Sequence, residues 1–243
     1  MENSLYINYC GLGSPSTENW LLTQDIEIQR FYYVLGGTGW YRSPDGTKHT
    51  FQKGCVYLFP YNLRHSFHTD MSDPVSHLFY DFLSAPPIIA TEPLRIPVSP
   101  DSPLHNALML ACQLKSSDYN SETYKTRLDR HMLRLLLDLV HEQMPIPFST
   151  DPIIHNALSI IQRDYATPIT VKELARQAGF EENYFIRRFK KVMKQTPYTY
   201  LKNYRLFKAR NLLLEGVSAE KAAERVGYES AASLTRALNR ANI

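Results

Sequence analysis

Asn183, Arg187, Lys190 and Lys194 follow one another at steps of four, three and four residues. On a helix turning by about 100° per residue, this places one amide, one guanidinium and two ammonium groups on a single side. Nucleic acid accepts those groups: Arg matches the O6/N7 pair of guanine, Asn the N6/N7 pair of adenine, and Lys neutralises phosphate. Lys191 is a further phosphate-contacting candidate. The other side of the stretch holds Phe185, Phe189 and Val192, within about 60° of one another, as the stripe a helix would bury. A helix is therefore predicted from about Glu182 to Met193.

Other elements must hold that helix in place. Val171-Lys-Glu-Leu-Ala-Arg-Gln-Ala178 has Val171, Leu174, Ala175 and Ala178 at helical spacing, and Gly179 permits the positive φ of a tight turn. Two short helices about a Gly-containing turn make a helix-turn-helix pattern. The pattern recurs: Ala222-Ala-Glu-Arg-Val-Gly227-Tyr-Glu-Ser230 repeats Leu174-Ala-Arg-Gln-Ala-Gly179-Phe-Glu-Glu182 at an offset of 48, which becomes 49 past the turn. Leu234 and Leu238 then match Phe185 and Phe189, Arg236 matches Arg187, and Arg240 follows as a phosphate candidate. Between the units, Thr196-Pro197 opens a helix that Gly216 stops. At 1.5 Å per residue it is about 27 Å long, which can hold two recognition helices in successive major grooves about 34 Å apart.

Charge divides the chain in the same way. The 243 residues carry a formal net charge of +3, but residues 1–151 hold 11 Lys+Arg against 16 Asp+Glu, and residues 152–243 hold 16 against 8. A short basic segment behind a longer acidic one suits a nucleic-acid module joined to a domain of another kind. Three prolines in Pro145-Ile-Pro-Phe-Ser-Thr-Asp-Pro152 mark 145–152 as a linker. Composition excludes collagen-like and disordered chains. No apolar run reaches the roughly 20 residues of a membrane span, and the N-terminus lacks a basic start followed by an apolar stretch, so a cytoplasmic location is expected. Cys10, Cys55 and Cys112 are isolated and odd in number, against a disulfide framework or a cysteine-rich zinc site.

From Ile28 to Phe82, short β-branched and aromatic runs (IQRFYYVL, GTGWYR, residues 47–51, CVYLF, HSFH, VSHLFYDF) alternate with turn residues. Five or six strands at about ten-residue intervals predict an antiparallel sandwich or barrel. Helices follow over Leu104–Leu114 and Glu122–Met144. In the second, Leu128, Met132, Leu135 and Leu139 form one stripe, widened by Leu133, Leu136, Leu137 and Val140 beyond one packing surface. The first four are the candidate dimerisation residues, and a homodimer is expected.

The sequence Gly54-Cys-Val-Tyr-Leu-Phe-Pro-Tyr-Asn-Leu-Arg-His65 and the run ending Phe79-Tyr-Asp-Phe82 resemble the cupin-like sensing barrel of AraC/XylS-type transcription regulators, with Cys55 and Tyr61 where the family commonly has Asp and Pro. The repeat over residues 153–240, with Pro197, Tyr200, Arg205, Ala209, Leu213 and Val226-Gly-Tyr-Glu-Ser230, resembles that family's DNA-binding domain. The resemblance implies an α+β chain of two domains: an effector-binding barrel over 1–102, a helical dimerisation segment over 103–144, the linker 145–152, and an all-α domain over 153–243 with helix-turn-helix units at about 171–193 and 219–240. It implies base contacts from Asn183, Arg187 and Arg236, promoter DNA as partner, RNA polymerase as a second partner of an activator, and no enzymatic activity.

For a metal, the barrel lacks a His-x-His pair: His65 and His68 lie on opposite faces of one strand, and no Glu falls between Glu27 and Glu92. No metal or other cofactor is expected. An organic effector, a sugar among the options, fits an aromatic-lined barrel mouth. Resemblance to the family's pocket points to Phe67, His77 and Phe79, and aromatic character adds Trp40. Family members continue past the second recognition helix with a further short helix, whereas here Ala237-Leu-Asn-Arg-Ala-Asn-Ile243 ends the sequence; the second unit is expected to expose part of its apolar face and fray. Two alternatives stand beside the regulator: a metal-dependent cupin enzyme with a degenerate helical tail, and a truncated sensor unable to bind DNA alone.

Overall fold

The computed structural model describes residues 4–18, 28–61, 63, 65–116, 122–214 and 216–241. The chain divides into two compact units meeting at Phe148 and Ser149. Eight strands come first: β1 (Ser4–Gly13), β2 (Gln29–Gly36), β3 (Gly39–Arg42), β4 (Lys48–Thr50), β5 (Cys55–Phe59), β6 (Ser66–Thr69), β7 (Ser76–Ala85) and β8 (Leu94–Pro97). Helices α1 (Pro103–Ser116) and α2 (Glu122–Gln143) complete the unit.

The strands form two antiparallel sheets, β1-β7-β2-β5-β8 and β4-β3-β6. Period-two alternation sends the two faces of the larger sheet to different cores. Val56 and Leu58 of β5, Phe31 and Tyr33 of β2, and Leu78, Tyr80 and Phe82 of β7 pack with Leu104, Leu108, Leu133, Leu136 and Val140 of the helices. Tyr57 and Phe59, Tyr32 and Val34 face the smaller sheet and meet Tyr41, Phe51 and Phe67. Burying one such large side chain is worth about 1.5–3 kcal/mol, and all of β5 is buried.

Two strands go beyond the sequence expectation. β1 pairs along β7 from Ser4↔Ala85 to Gly13↔His77, although Gly11 and Gly13 dilute its β signal. Gly11 leaves room for Phe79, whose ring would lie 2.9 Å from a Cβ there. β8, four residues that follow Pro93 and end on Pro97, pairs with β5.

The presumed linker is structured at both ends. Ile146 is buried with the α2 core, and Phe148 bridges to Ile88. Asp151 caps the next helix, α3 (Pro152–Asp164), with Pro152 at its first position. That amphipathic helix goes beyond the sequence expectation; it buries Ile153, Ile154, Leu158 and Ile161. The second unit continues with α4 (Val171–Ala178), α5 (Glu182–Met193), α6 (Pro197–Leu214), α7 (Ala219–Arg225) and α8 (Ala231–Arg240). No described helix is long and apolar enough to cross a membrane.

Candidate nucleic-acid interface and barrel cavity

Each helix of the two helix-turn-helix units is set by local capping. Thr170 caps α4, and Gly179 ends it at φ 85° with its N–H donating to Ala175 and Arg176 carbonyls. Glu181 caps α5 by accepting from Asn183 N and Tyr184 N; hydrogen bonds from those two amides hold its carboxyl below the usual range. Ser218 caps α7, and Ser230 with Ser233 forms a capping box on α8. Gly227, at the second turn, has φ 75°, and a Cβ there would stand 2.6 Å from the Ala166 carbonyl oxygen. Both its conformation and its close approach to backbone require glycine.

On α5 the buried stripe is Phe185, Phe189 and Met193. Met193 replaces the expected Val192, which is only partly buried, because the inward face continues along the four-residue row from Phe189. Phe189 meets Tyr200 of α6 with ring centroids 5.8 Å apart. Asn183, Arg187, Lys190 and Lys191 are exposed on the other side, and exposed Lys194 forms the left-handed C-cap at φ 57°. Arg188 points elsewhere: its Nε donates to Asp151 Oδ2 at 2.6 Å.

α8 is a formed helix. Leu234 and Leu238 are buried with Ala222 and Ala223 of α7, with Val226 at its C-cap, and with Leu206 and Ala209 of α6, and Ala241 joins them. The expected exposure of its apolar face is corrected, because the connector helix supplies a packing partner. Arg236 and Arg240 are exposed. Arg205 of α6 is structural: it donates to the carbonyls of Tyr165 and Thr167 at 2.6 and 2.7 Å, satisfying the end of α3.

In the first unit, Phe67, His77 and Phe79 share the barrel interior. Tyr32 links them, 5.6 Å from Phe67 and 4.8 Å from His77, and His77 lies 5.4 Å from Phe79. Asp81 pairs with Arg30 on the same face at 3.5 Å. Trp40 is not with them. It stacks on His68 at 5.5 Å under the Lys48 ammonium, because neighbouring Tyr41 takes the inward position on β3.

An open cavity of about 920 Å³ lies elsewhere in this unit, lined by Tyr41, His49, Tyr57, His65 and Arg95 among others. None of the four sequence candidates lines it. His65 is buried, its Nε2 has no hydrogen-bond partner among the described residues, and burial pushes it down to about 4. Burial likewise pushes Tyr41 up to about 12. Alternation back from Phe67 was the signal that could have placed His65 inward. Among the described residues no group of three or more His, Cys, Asp or Glu could hold a metal ion.

Of the dimerisation candidates, Met132 belongs to the core of its own chain, Leu128 and Leu139 are partly buried, and Leu135 is 44% exposed.

Residues 174–241 match a helix-turn-helix domain family. A Streptomyces antibioticus protein named as an AraC-like transcription regulator is 34% identical over 113 residues, covering 45% of this chain and 37% of that protein. The transcriptional regulator AlkR of Acinetobacter baylyi is 32% identical over 90 residues, 37% of this chain and 29% of AlkR. The chain thus matches about a third of the length of these relatives. ToxT of Vibrio cholerae, in a crystal structure with unsaturated fatty acid bound, is 10% identical and superposes at TM-score 0.64, covering 100% of this chain and 94% of ToxT; this likeness concerns the fold. The family match and the AraC-like relatives thus bear on the second unit, whose doubled helix-turn-helix on its connector helix is similar to theirs.

Proposed function

We propose that the chain is a ligand-responsive, DNA-binding transcription regulator. The observation that carries this reading is the repeated unit itself: two capped recognition helices, each buried on one side and each exposing Arg or Lys on the other. Arg187 and Arg236 serve as base readers with Asn183, while Lys190, Lys191, Lys194 and Arg240 neutralise phosphates.

The β-sheet unit takes the small molecule. Its aromatic interior and the polar cavity beside it supply apolar walls with a few hydrogen-bonding groups. Fatty-acid-bound ToxT supports the idea that this fold accommodates a small ligand. A second copy of the chain packs on the exposed side of α2, and the protein works in the cytoplasm. The ligand acts by binding one arrangement of the chain better than another.

Fluorescence anisotropy on labelled DNA from upstream of its own gene, in a salt series, tests the reading. Affinity is expected to fall steeply with salt and to drop roughly 5- to 150-fold in Arg187→Ala. A salt-independent affinity, or one untouched by that substitution, would sink it.

A further inference from the structure

Counted from their N-caps, the two recognition helices present the same positions with different chemistry. Glu181 caps α5 and Ser230 caps α8. Asn183 and Ala232 therefore both stand at the second helical position, Arg187 and Arg236 at the sixth, and Lys190 and Asn239 at the ninth. All six are exposed. The two helices also pack alike, Phe185 and Phe189 on one and Leu234 and Leu238 on the other, so equivalent positions face outward equivalently.

The first turn of a recognition helix is the part that meets base edges. There Asn183 offers a paired donor and acceptor, the complement of adenine N7 and N6. Ala232 offers only a methyl group. The one apolar group on the floor of the major groove is the C5-methyl of thymine, and Ala is among the side chains that contact it. The bland account of Ala232 is that alanine is a good helix former at an exposed site; a swap of side chains separates the two accounts.

We propose that the two heads read different base pairs at the equivalent place: adenine beneath Asn183 and thymine beneath Ala232, with a guanine beneath each arginine. The inference rests on the chain being a DNA-binding protein. It makes the binding site two sub-sites about one helical turn apart that share a guanine and differ at its neighbour.

Selection of bound duplexes from a randomised DNA pool, using the full chain, tests the proposal. The wild type is expected to enrich adenine in one sub-site and thymine in the other. Asn183→Ala should lose the adenine preference, by roughly 5- to 150-fold, and leave the thymine intact. Ala232→Asn should change thymine to adenine in its own sub-site alone. Melting curves will show whether both variants, altered at exposed positions, keep the fold. An unchanged base with folded Ala232→Asn, or the same base in both wild-type sub-sites, overturns the proposal. Salt-dependent binding without base preference also overturns it while leaving the DNA-binding reading in place; salt-independent binding defeats that reading itself.

Discussion

Arg188 Nε donates to Asp151 Oδ2 at 2.6 Å while Oδ1 of the same carboxylate accepts from Ile153 N and Ile154 N at the start of α3. One buried carboxylate thus caps one helix and orients another. The second head has no equivalent, since Ala237 occupies the place of Arg188. Because Arg188 adjoins Arg187, the pair fixes which arginine faces out.

Removing this carboxylate should cost more than neutralising it. Asp151→Ala deletes cap and partner together, and about 1–3 kcal/mol of stability is expected to go. Asp151→Asn keeps a capping oxygen and should lose about half of that or less, the half-exposed Arg188 limiting the pair's worth. Urea unfolding of the full chain measures both. Equal losses would show that the capping oxygen contributes nothing beyond the ion pair.

The two turn glycines should respond differently to alanine. At Gly179 nothing lies within 4 Å of a built Cβ, so only the left-handed φ is penalised, about 1–2 kcal/mol. At Gly227 the same penalty is joined by a clash with the Ala166 carbonyl. Gly227→Ala is expected to destabilise the second unit by at least about 1 kcal/mol more, the lower end of what overpacking costs. Matched unfolding midpoints for the two variants would refute the difference.

Legibility followed the strength of local signals. The helix pairs around Gly179 and Gly227 were readable because capping, turn glycine and apolar spacing agreed with each other and with the repeat. The start of α3 is masked by its proline-rich approach, although Asp151-Pro152 is a helix-start signal. β1 and β8 carry glycines and prolines, and only their pairing with β7 and β5 makes them strands. The barrel was harder at the level of single side chains. Trp40 and Tyr41 are adjacent aromatics, and which one faces inward depends on register, which composition does not reveal. The residue type of His65 suggests a metal ligand, whereas its place on the cavity wall depends on pairing between strands distant in sequence.

Two buried histidines should make the β-sheet unit acid-sensitive. Burial pushes His65 and His77 down to about 4 from an ordinary 6.5. Between those values the unfolded chain takes up protons that the folded chain refuses. The stability tied to their neutral forms is therefore complete above about pH 6.5 and is lost as pH falls toward 4. Each contributes a slope of up to about 1.4 kcal/mol per pH unit. Urea midpoints followed by near-ultraviolet circular dichroism should fall across this window, and His77→Gln should flatten the fall. A midpoint constant from pH 6.5 to 4.5 would contradict the assignment.

The exposed side of the two N-terminal helices should hold a second copy of the chain. Leu110 of α1 is 46% exposed and Leu135 of α2 44%, on helices that pack together. Met132 faces inward, so two substitutions on one helix separate association from folding. Leu135→Glu places a charge on the exposed face and is expected to halve the mass seen in analytical ultracentrifugation while changing the melting temperature little. Met132→Ala opens a cavity in the core and should cost about 2–5 kcal/mol, leaving the mass of the folded protein unchanged. A wild-type monomer would refute the association, and a dimer indifferent to Leu135→Glu would move its surface elsewhere.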